Sequence, residues 1–409
     1  MQPLLRLGMV STVDSGDPRA ISGLPFAAAR ALERRGAIIV PLQAADPPKQ
    51  STRKWSRVRS LAKRVLPSRL SEWPAHVRSA RTGCVFGPAI DAAERVSAQL
   101  AAARSEAPID ALVGICVSVP LAFLETDLPM VYASDATARI VLGTYPRYAR
   151  RHRTYREECE ECERRALRRA SFVALASEAA AHSAVRDYDV DPARVDLVPL
   201  GCHIVPEHDD DSVIMLPTRD NVRLLIVASD PERKRLGLAV NAIAELRRRG
   251  VGAELWHIGE PHRTLRRPFV RSLGPLRLGV EADAAKHRDA IRSTHLSILP
   301  SMGEAFGIAP AESAMFGRPA VVSNAGGLST VVRHDETGLV LPLSAHADAW
   351  ADAIERLVAE PERYRRYAVA ARSRAWNEFT WDRWAERIEG LIRRAIAERT
   401  AEERDRAIA

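Results

Sequence analysis

Residues 299–344 read LPSMGEAFGIAPAESAMFGRPAVVSNAGGLSTVVRHDETGLVLPLS, and this stretch decides the fold. An apolar run ends at Pro300, a glycine-containing loop follows, and the pattern predicts a helix from Gly307 to Phe316. Short apolar runs at 320–323 and 338–341 read as further buried strands. The helix start leaves the N–H groups of Phe306, Gly307 and Ile308 without intrahelical acceptors. With the positive end of the helix dipole beside them, they form a natural anion site. Gly303 and Gly307 let a ligand approach the backbone without meeting a Cβ. Glu304 in the loop and Glu312 two helical turns on can face one crevice at the carboxyl edge of a sheet. There one carboxylate can bind sugar hydroxyls and the other a pair of ribose hydroxyls. Two glutamates at this spacing also arise by chance on any charged helix. The strand end, the Gly326-Gly327 pair and Thr337-Gly338 give the pattern its weight.

The same alternation of apolar runs and amphipathic helical patterns extends along the chain, as in α/β domains with parallel sheets. Strands are predicted at 4–11, 38–42, 111–117, 130–133, 172–176 and 195–199 in the first half. In the second half they fall at 222–228, 253–258, 269–273, 296–299, 320–323 and 338–341. Helices are predicted at 25–35, 90–104, 155–170, 238–249, 284–293 and from Ala345 to the end. A polar stretch at 206–221 holding Asp209-Asp210-Asp211 interrupts the pattern and reads as an inter-domain linker. Two domains suit a chain of 409 residues, which is too long for one ordinary core. The expected division is an N-terminal domain at 1–205 and a C-terminal domain at 206–379, with a final helix at 380–409.

Composition narrows the function classes. No run approaches the ~20 apolar residues of a membrane span, and the apolar start lacks a signal-peptide cleavage pattern. Five scattered cysteines give no disulfide framework, so a cytoplasmic location is expected. Cys159 and Cys162 have metal-ligand spacing without a partner pair, and two unrelated helical cysteines are the preferred reading. The net charge of +8 is local: Lys49 to Arg81 carries ten basic residues against the single acid Glu72. Trp55, Val58, Leu61, Val65 and Leu66 interleave there with Arg57, Lys63 and Arg64 at near-helical spacing. This segment is either ordinary solvated surface or a peripheral contact with an anionic membrane or acceptor. No nucleic-acid-reading motif accompanies the charge, so nucleic acid is not an expected partner.

Residues 299–344 resemble the C-terminal half-site of glycosyltransferase family 4, retaining enzymes of the GT-B fold. They carry its E-x7-E element as Glu304 and Glu312, and the likeness runs on through Gly326-Gly327 and Thr337-Gly338-Leu339. The resemblance implies two Rossmann-like domains facing across a cleft, the last helix crossing back to the first domain near WNEFTWDRWAERI at 376–388. It places Glu304 on the donor sugar, Glu312 on the ribose, and the main chain of Phe306, Gly307 and Ile308 on the diphosphate. In VASDPERKRLGLAV at 227–240, Arg233 and Lys234 match the family's basic pair against that diphosphate. Two fixed cations there stabilise the charge that builds on the leaving group. Two departures stand out. Arg235 occupies the place of the glycine that usually follows the lysine, and Thr330 falls where a glutamate is common after the glycine pair.

The first half is a looser match. SGLPFAAARALERRGAIIVPL at 22–42 resembles the family's glycine loop, helix and second strand, with Gly23 approaching phosphates or acceptor. PMVYASDATARIVLGTYPRY at 129–148 resembles a strand and turn that often ends in His-Asp; Ser134 stands in the histidine position and Asp135 is retained. Asp135 either contacts a substrate or caps the following helix. In the run to the hinge at 177–204, Gly201 is expected at a turn.

The resemblance thus implies a metal-independent, retaining glycosyltransferase. Its substrate would be a UDP- or GDP-sugar, its acceptor a glycan, lipid or small molecule, and no cofactor is required. No side chain presents itself as a covalent nucleophile. The rivals are another GT-B chemistry, such as a nucleotide-sugar epimerase, and a non-catalytic sugar-nucleotide or polyanion-binding protein. Anomer-resolved product analysis and donor hydrolysis separate them.

Overall fold

A computed structural model describes residues 4–17, 20–44, 85–207, 214–277 and 279–408. The basic segment from Lys49 to Arg81 and the Asp209–Asp211 triplet lie outside the described residues. Two six-stranded, all-parallel sheets form the frame. The first comprises β1 (Arg6–Ser11), β2 (Ile38–Gln43), β3 (Ala111–Ile115), β4 (Met130–Ser134), β5 (Phe172–Leu175) and β6 (Val195–Leu197), in the order β2-β1-β3-β4-β5-β6. The second comprises β7 (Val222–Val227), β8 (Ala253–Ile258), β9 (Val270–Ser272), β10 (Leu296–Leu299), β11 (Ala320–Ser323) and β12 (Gly338–Leu341), in the order β12-β11-β10-β7-β8-β9. All twelve predicted strands are present, four with the predicted bounds and the others with ends shifted by one or two residues.

Parallel strands covered on both faces must be apolar throughout rather than alternating. Accordingly β3, β4, β10 and β11 are buried at every position, whereas edge strand β2 is partly exposed. The second sheet reverses its strand order between β7 and β10. At such a switch point the loops after the two strands diverge to opposite faces and leave a crevice. The Val227–Lys234 and Pro300–Gly307 segments are those two loops.

Two strands of chain join the halves and lie against each other. The Cys202 N–H donates to the Phe379 carbonyl at 2.9 Å. A Cβ on Gly201 would come within 2.5 Å of the Trp381 backbone, so glycine is required for this approach. The long helix Trp381–Ile408 then packs on the helix Leu24–Arg34 and on β4 and β5. Trp384, Ile388 and Ile392 enter a core shared with Leu7, Leu24 and Val131. Among the described residues, no helix is long and apolar enough to cross a membrane. Cys162 is buried in a small cluster with Val85, Ala89 and Ala122, with Cys159 and Tyr155 packed beside it.

Candidate active site

The loops after β7 and β10 are stitched together by backbone. The Arg233 carbonyl accepts from the Met302 N–H at 2.8 Å and the Ser301 hydroxyl at 3.3 Å. This brings three charges into one nearly dry space: Glu304 Oε1 lies 2.7 Å from Arg233 and 3.5 Å from Lys234. The three side chains are only 9 to 11% exposed. Arg233 also donates to the Gly303 carbonyl at 2.5 Å, and Lys234 to the Val227 carbonyl at 3.0 Å. Arg235 adopts the left-handed backbone (φ 46°) that a glycine would favour and starts the helix Leu236–Arg248. The turn is therefore kept despite the missing glycine.

The helix predicted from Gly307 runs Ile308–Met315, with Gly307 at its N-cap in a left-handed conformation (φ 115°). Among the described residues, the N–H groups of Phe306 and Gly307 have no acceptor within the protein. The glycine pair is explained by close approach: a Cβ on Gly326 would stand 2.0 Å from the Glu304 carbonyl, and one on Gly327 2.3 Å from that of Ala305. The Gly327 N–H donates to the Glu304 carbonyl at 2.9 Å, so the pair holds the loop that carries Glu304.

Glu312 is buried on the same helix, but at the hinge end. Its Oε1 accepts from the backbone N–H groups of Ile204 at 3.0 Å and His203 at 3.2 Å. Burial outweighs those two bonds and pushes its pKa up to about 8. Beside it, Gly23, Phe26, His203 and Ile204 from the first domain and hinge face Leu276, Arg277, Val280 and His287 of the second across a cleft of ≈ 310 Å³. Gly23 thus belongs to this hinge-side cleft. His287 is buried and His203 half-buried there, and loss of solvation lowers each to about 4.

The first domain supplies contacts that the sequence did not single out. The Tyr145 ring packs on the Arg233 guanidinium, 4.6 Å from centroid to carbon. Burial, and the negative charges of Glu304 and Asp135, push the Tyr145 phenol up to about 12. A Cβ on Gly303 would collide with Thr144. Asp135 follows β4, and its carboxyl is raised above the ordinary range by burial and, more weakly, by Glu304. It does not cap the next helix. Thr137 is that N-cap, without a side-chain bond, and Asp135 Oδ1 instead lies 3.8 Å from the Cys116 sulfur. Ser134 donates to the Ala136 carbonyl at 2.8 Å. Across the cleft, Ser177 donates to the Ala305 carbonyl and Thr330 accepts from the Glu178 N–H, both at 3.0 Å. Thr330 thereby satisfies a free donor at the start of the helix Glu178–Tyr188. The Tyr-Pro step was the one visible sign of the Tyr145 contact; cross-domain partners such as Ser177 and Thr330 have no local sequence signature.

Residues 221–360 match the family model described as "Glycosyl transferases group 1". A D-inositol 3-phosphate glycosyltransferase of Rhodococcus opacus is 30% identical over 218 residues, covering 49% of this chain and 48% of the relative. An alpha-maltose-1-phosphate synthase of Mycolicibacterium smegmatis is 33% identical over 117 residues, covering 27% of this chain and 30% of the relative. The first of these is thus matched over about half its length, the second over less. Among solved structures, sucrose-phosphate synthase from Thermosynechococcus elongatus superposes with a TM-score of 0.69 at 18% identity, covering 96% of this chain and all of that one. Anabaena HepE, in complex with UDP and glucose, superposes with a TM-score of 0.61 at 14% identity, covering 95% and 99%. These likenesses establish the two-domain GT-B fold, and the second domain carries the glycosyltransferase signature.

Proposed function

We propose that this chain is a retaining glycosyltransferase that moves a sugar from a UDP- or GDP-sugar to a hydroxyl acceptor. The observation that carries the reading is the meeting of Arg233, Lys234, Glu304 and the open N–H groups of Phe306 and Gly307 at the switch point of the second sheet. Two fixed cations and a helix start suit a diphosphate; the neighbouring carboxylate suits sugar hydroxyls. The hinge-side cleft has room for the nucleoside. Glu312 keeps Oε1 on the hinge and offers Oε2 to the ribose; as a neutral acid it can donate as well as accept.

In this scheme the bond from the anomeric carbon to the diphosphate breaks while the acceptor oxygen bonds to that carbon on the same face. The acceptor proton passes to the leaving phosphate oxygen. Arg233, Lys234 and the helix start stabilise the charge that develops there, a larger gain in the transition state than in the ground state. No divalent metal enters, because those groups already supply positive charge. Asp135 and Tyr145 face the reaction from the first domain. The resemblance to retaining enzymes supports the stereochemistry.

A thermal-shift screen over UDP- and GDP-sugars tests the donor assignment. A ligand at 100 times its Kd adds about 2.7 kcal/mol to stability. The ligand that shifts Tm is then incubated with acceptors, and the product anomer is read by NMR. An inverted anomer, or no shift with any nucleotide sugar, would refute the proposal.

A further inference from the structure

Three glutamates are buried among the described residues; Glu304 and Glu312 belong to the donor site and Glu163 does not. Glu163 lies on the helix Arg153–Arg169, packed against β4, with 2% of its surface exposed. The Tyr132 hydroxyl of β4 donates to its Oε1 at 3.4 Å. The hydroxyls of Ser118 and Ser134 face the Tyr132 oxygen, and Ser118 also faces Glu163. Ser134 donates to the Ala136 carbonyl at 2.8 Å and lies 3.9 Å from the Cys116 sulfur, which is 3.8 Å from Asp135 Oδ1. A line of polar side chains thus runs through the first domain from Glu163 to Asp135, whose carboxyl feels Glu304 across the cleft.

Two features make this line unlike ordinary packing. First, Glu163 has no cationic partner among the described residues. The titratable groups around it are Cys159 on its own helix, Tyr132 and Asp135 on and after β4, Cys116 after β3, and Tyr188 on the helix Glu178–Tyr188. All are neutral or negative, and burial pushes the Glu163 pKa up to about 7. An apolar side chain would cost the fold less than this acid. Second, Cys116 is held in a left-handed backbone (φ 50°), with its N–H on the Ala133 carbonyl at 2.9 Å. Strain of this kind on a residue with a Cβ collects where a site fixes its geometry.

The protonation state of Glu163 decides how the hydroxyls point. The neutral acid accepts from Tyr132 and keeps one O–H to give. The ionised form only accepts, and it holds the Tyr132 and Ser118 protons more strongly. The Tyr132 oxygen then becomes the better acceptor. Ser134 has one proton, so it turns from the Ala136 carbonyl to Tyr132, and the turn carrying Asp135 loses its brace.

We propose that Glu163 is a positioning residue for sugar transfer: in its neutral form it braces, through Tyr132 and Ser134, the Cys116–Asp135 corner that the first domain turns toward the donor, and its ionisation releases that corner. The words sugar transfer rest on the glycosyltransferase reading; the brace does not.

The test compares the wild-type chain with Glu163→Gln, which is neutral at every pH, and with Tyr132→Phe, which cuts the line but keeps the acid. Hydrogen–deuterium exchange of the peptide 134–142 is followed in the free proteins at about pH 6 and about pH 8.5, either side of the Glu163 ionisation. Ratios to wild type cancel the intrinsic pH dependence of exchange. At the lower pH the glutamine variant should match wild type. At the higher pH wild type should exchange faster by about fivefold, the loss of one ordinary hydrogen bond. Tyr132→Phe should exchange fast at both. Turnover is read at saturating donor, so that Glu312, which acts on donor binding, drops out. Wild-type kcat should fall between the two pH values while that of Glu163→Gln stays level, with donor KM alike in both. Parallel kcat profiles, or an exchange ratio that does not move with pH, overturn the brace. If Glu163→Gln does not fold, Tyr132→Phe decides alone, and wild-type exchange by it at the lower pH overturns the brace. A pH-dependent exchange ratio without sugar transfer by either protein supports the brace and overturns the glycosyltransferase reading.

Discussion

Glu304 Oε1 stands 2.7 Å from Arg233, yet no donor meets it with hydrogen-bond geometry. The contact is an ion pair in an almost dry site, loosely directed and shared with Lys234. Desolvation makes such pairs poor sources of net stability, but removal of one partner strands the other. In the proposed enzyme the donor diphosphate takes over the cations, and Glu304 turns to the sugar.

Glu304→Gln should therefore lower the stability of the free protein by about 3 kcal/mol, because Lys234 loses its counter-charge and Arg233 keeps only the half-exposed Asp230 at 3.6 Å. The same variant should bind UDP at least as tightly as wild type, since the nucleotide no longer competes with the carboxylate. Its kcat should fall sharply, as expected for a group that touches the transferred sugar. Denaturation, UDP titration and turnover on one preparation check all three; wild-type turnover would remove Glu304 from the reaction.

Lys234→Ala should reduce kcat on the order of 10²-fold, the scale for losing one preorganised charge stabiliser. Arg233→Lys should also impair kcat/KM, because a point charge neither pairs two phosphate oxygens nor stacks on Tyr145 as a planar guanidinium does. Activity of the wild type should survive EDTA. Loss with chelator and recovery with Mg²⁺ or Mn²⁺ would transfer the diphosphate role from these side chains to a metal.

Glu312 gives a pH signature. Its carboxyl rises from 4.5 to about 8 through burial, so the folded state holds a proton that the unfolded chain releases. Between those values stability falls as pH rises, by up to about 1.4 kcal/mol per unit, and it levels off above pH ~8. Glu312→Gln removes this term while keeping an acceptor for the Ile204 N–H. The variant should gain on wild type steadily from pH 5 to pH 8 in urea denaturation. Glu163, buried and raised to about 7, contributes with the same sign but is common to both proteins and cancels. Parallel pH profiles would mean that Glu312 is ionised in the fold.

The sequence disclosed the strands because buried parallel strands are apolar at every position, and Leu296–Leu299 or Ala320–Ser323 cannot be mistaken for surface. It placed Glu304 and Arg233 in one site through the family resemblance alone; the structure supplies the reason, since both loops leave adjacent strands at the switch point. It could not show that Glu312 ties to Ile204, or that Thr330 caps a helix 152 residues away. Such contacts arise only when two separately folded sheets meet. The missing glycine at Arg235 was a warning about the turn that the backbone overrode, with Arg235 held to the Leu343 carbonyl at 2.7 Å.

The meeting of the domains makes the sharpest prediction. A Cβ on Gly303 would lie 1.4 Å from Thr144 Cγ2 and 2.8 Å from Thr144 Cβ. Rotating the threonine would move Cγ2 but not Cβ, and its hydroxyl is held by the Ile140 carbonyl at 2.6 Å. Gly303→Ala must therefore push the Thr144–Tyr145 corner away from the donor loops and lift the Tyr145 ring from Arg233. Displacements of about an ångström in a reacting site cost on the order of 10²-fold in rate. Nucleotide affinity should change far less, because Arg233 and Lys234 stay on their own domain. Thr144→Gly removes both colliding atoms, so the double variant Gly303→Ala/Thr144→Gly should recover most of the lost kcat. Additive losses in that double-mutant cycle would show that the two residues do not meet in the working enzyme. Strong recovery would show that the reaction takes place with the first domain closed on Gly303, as in this structure.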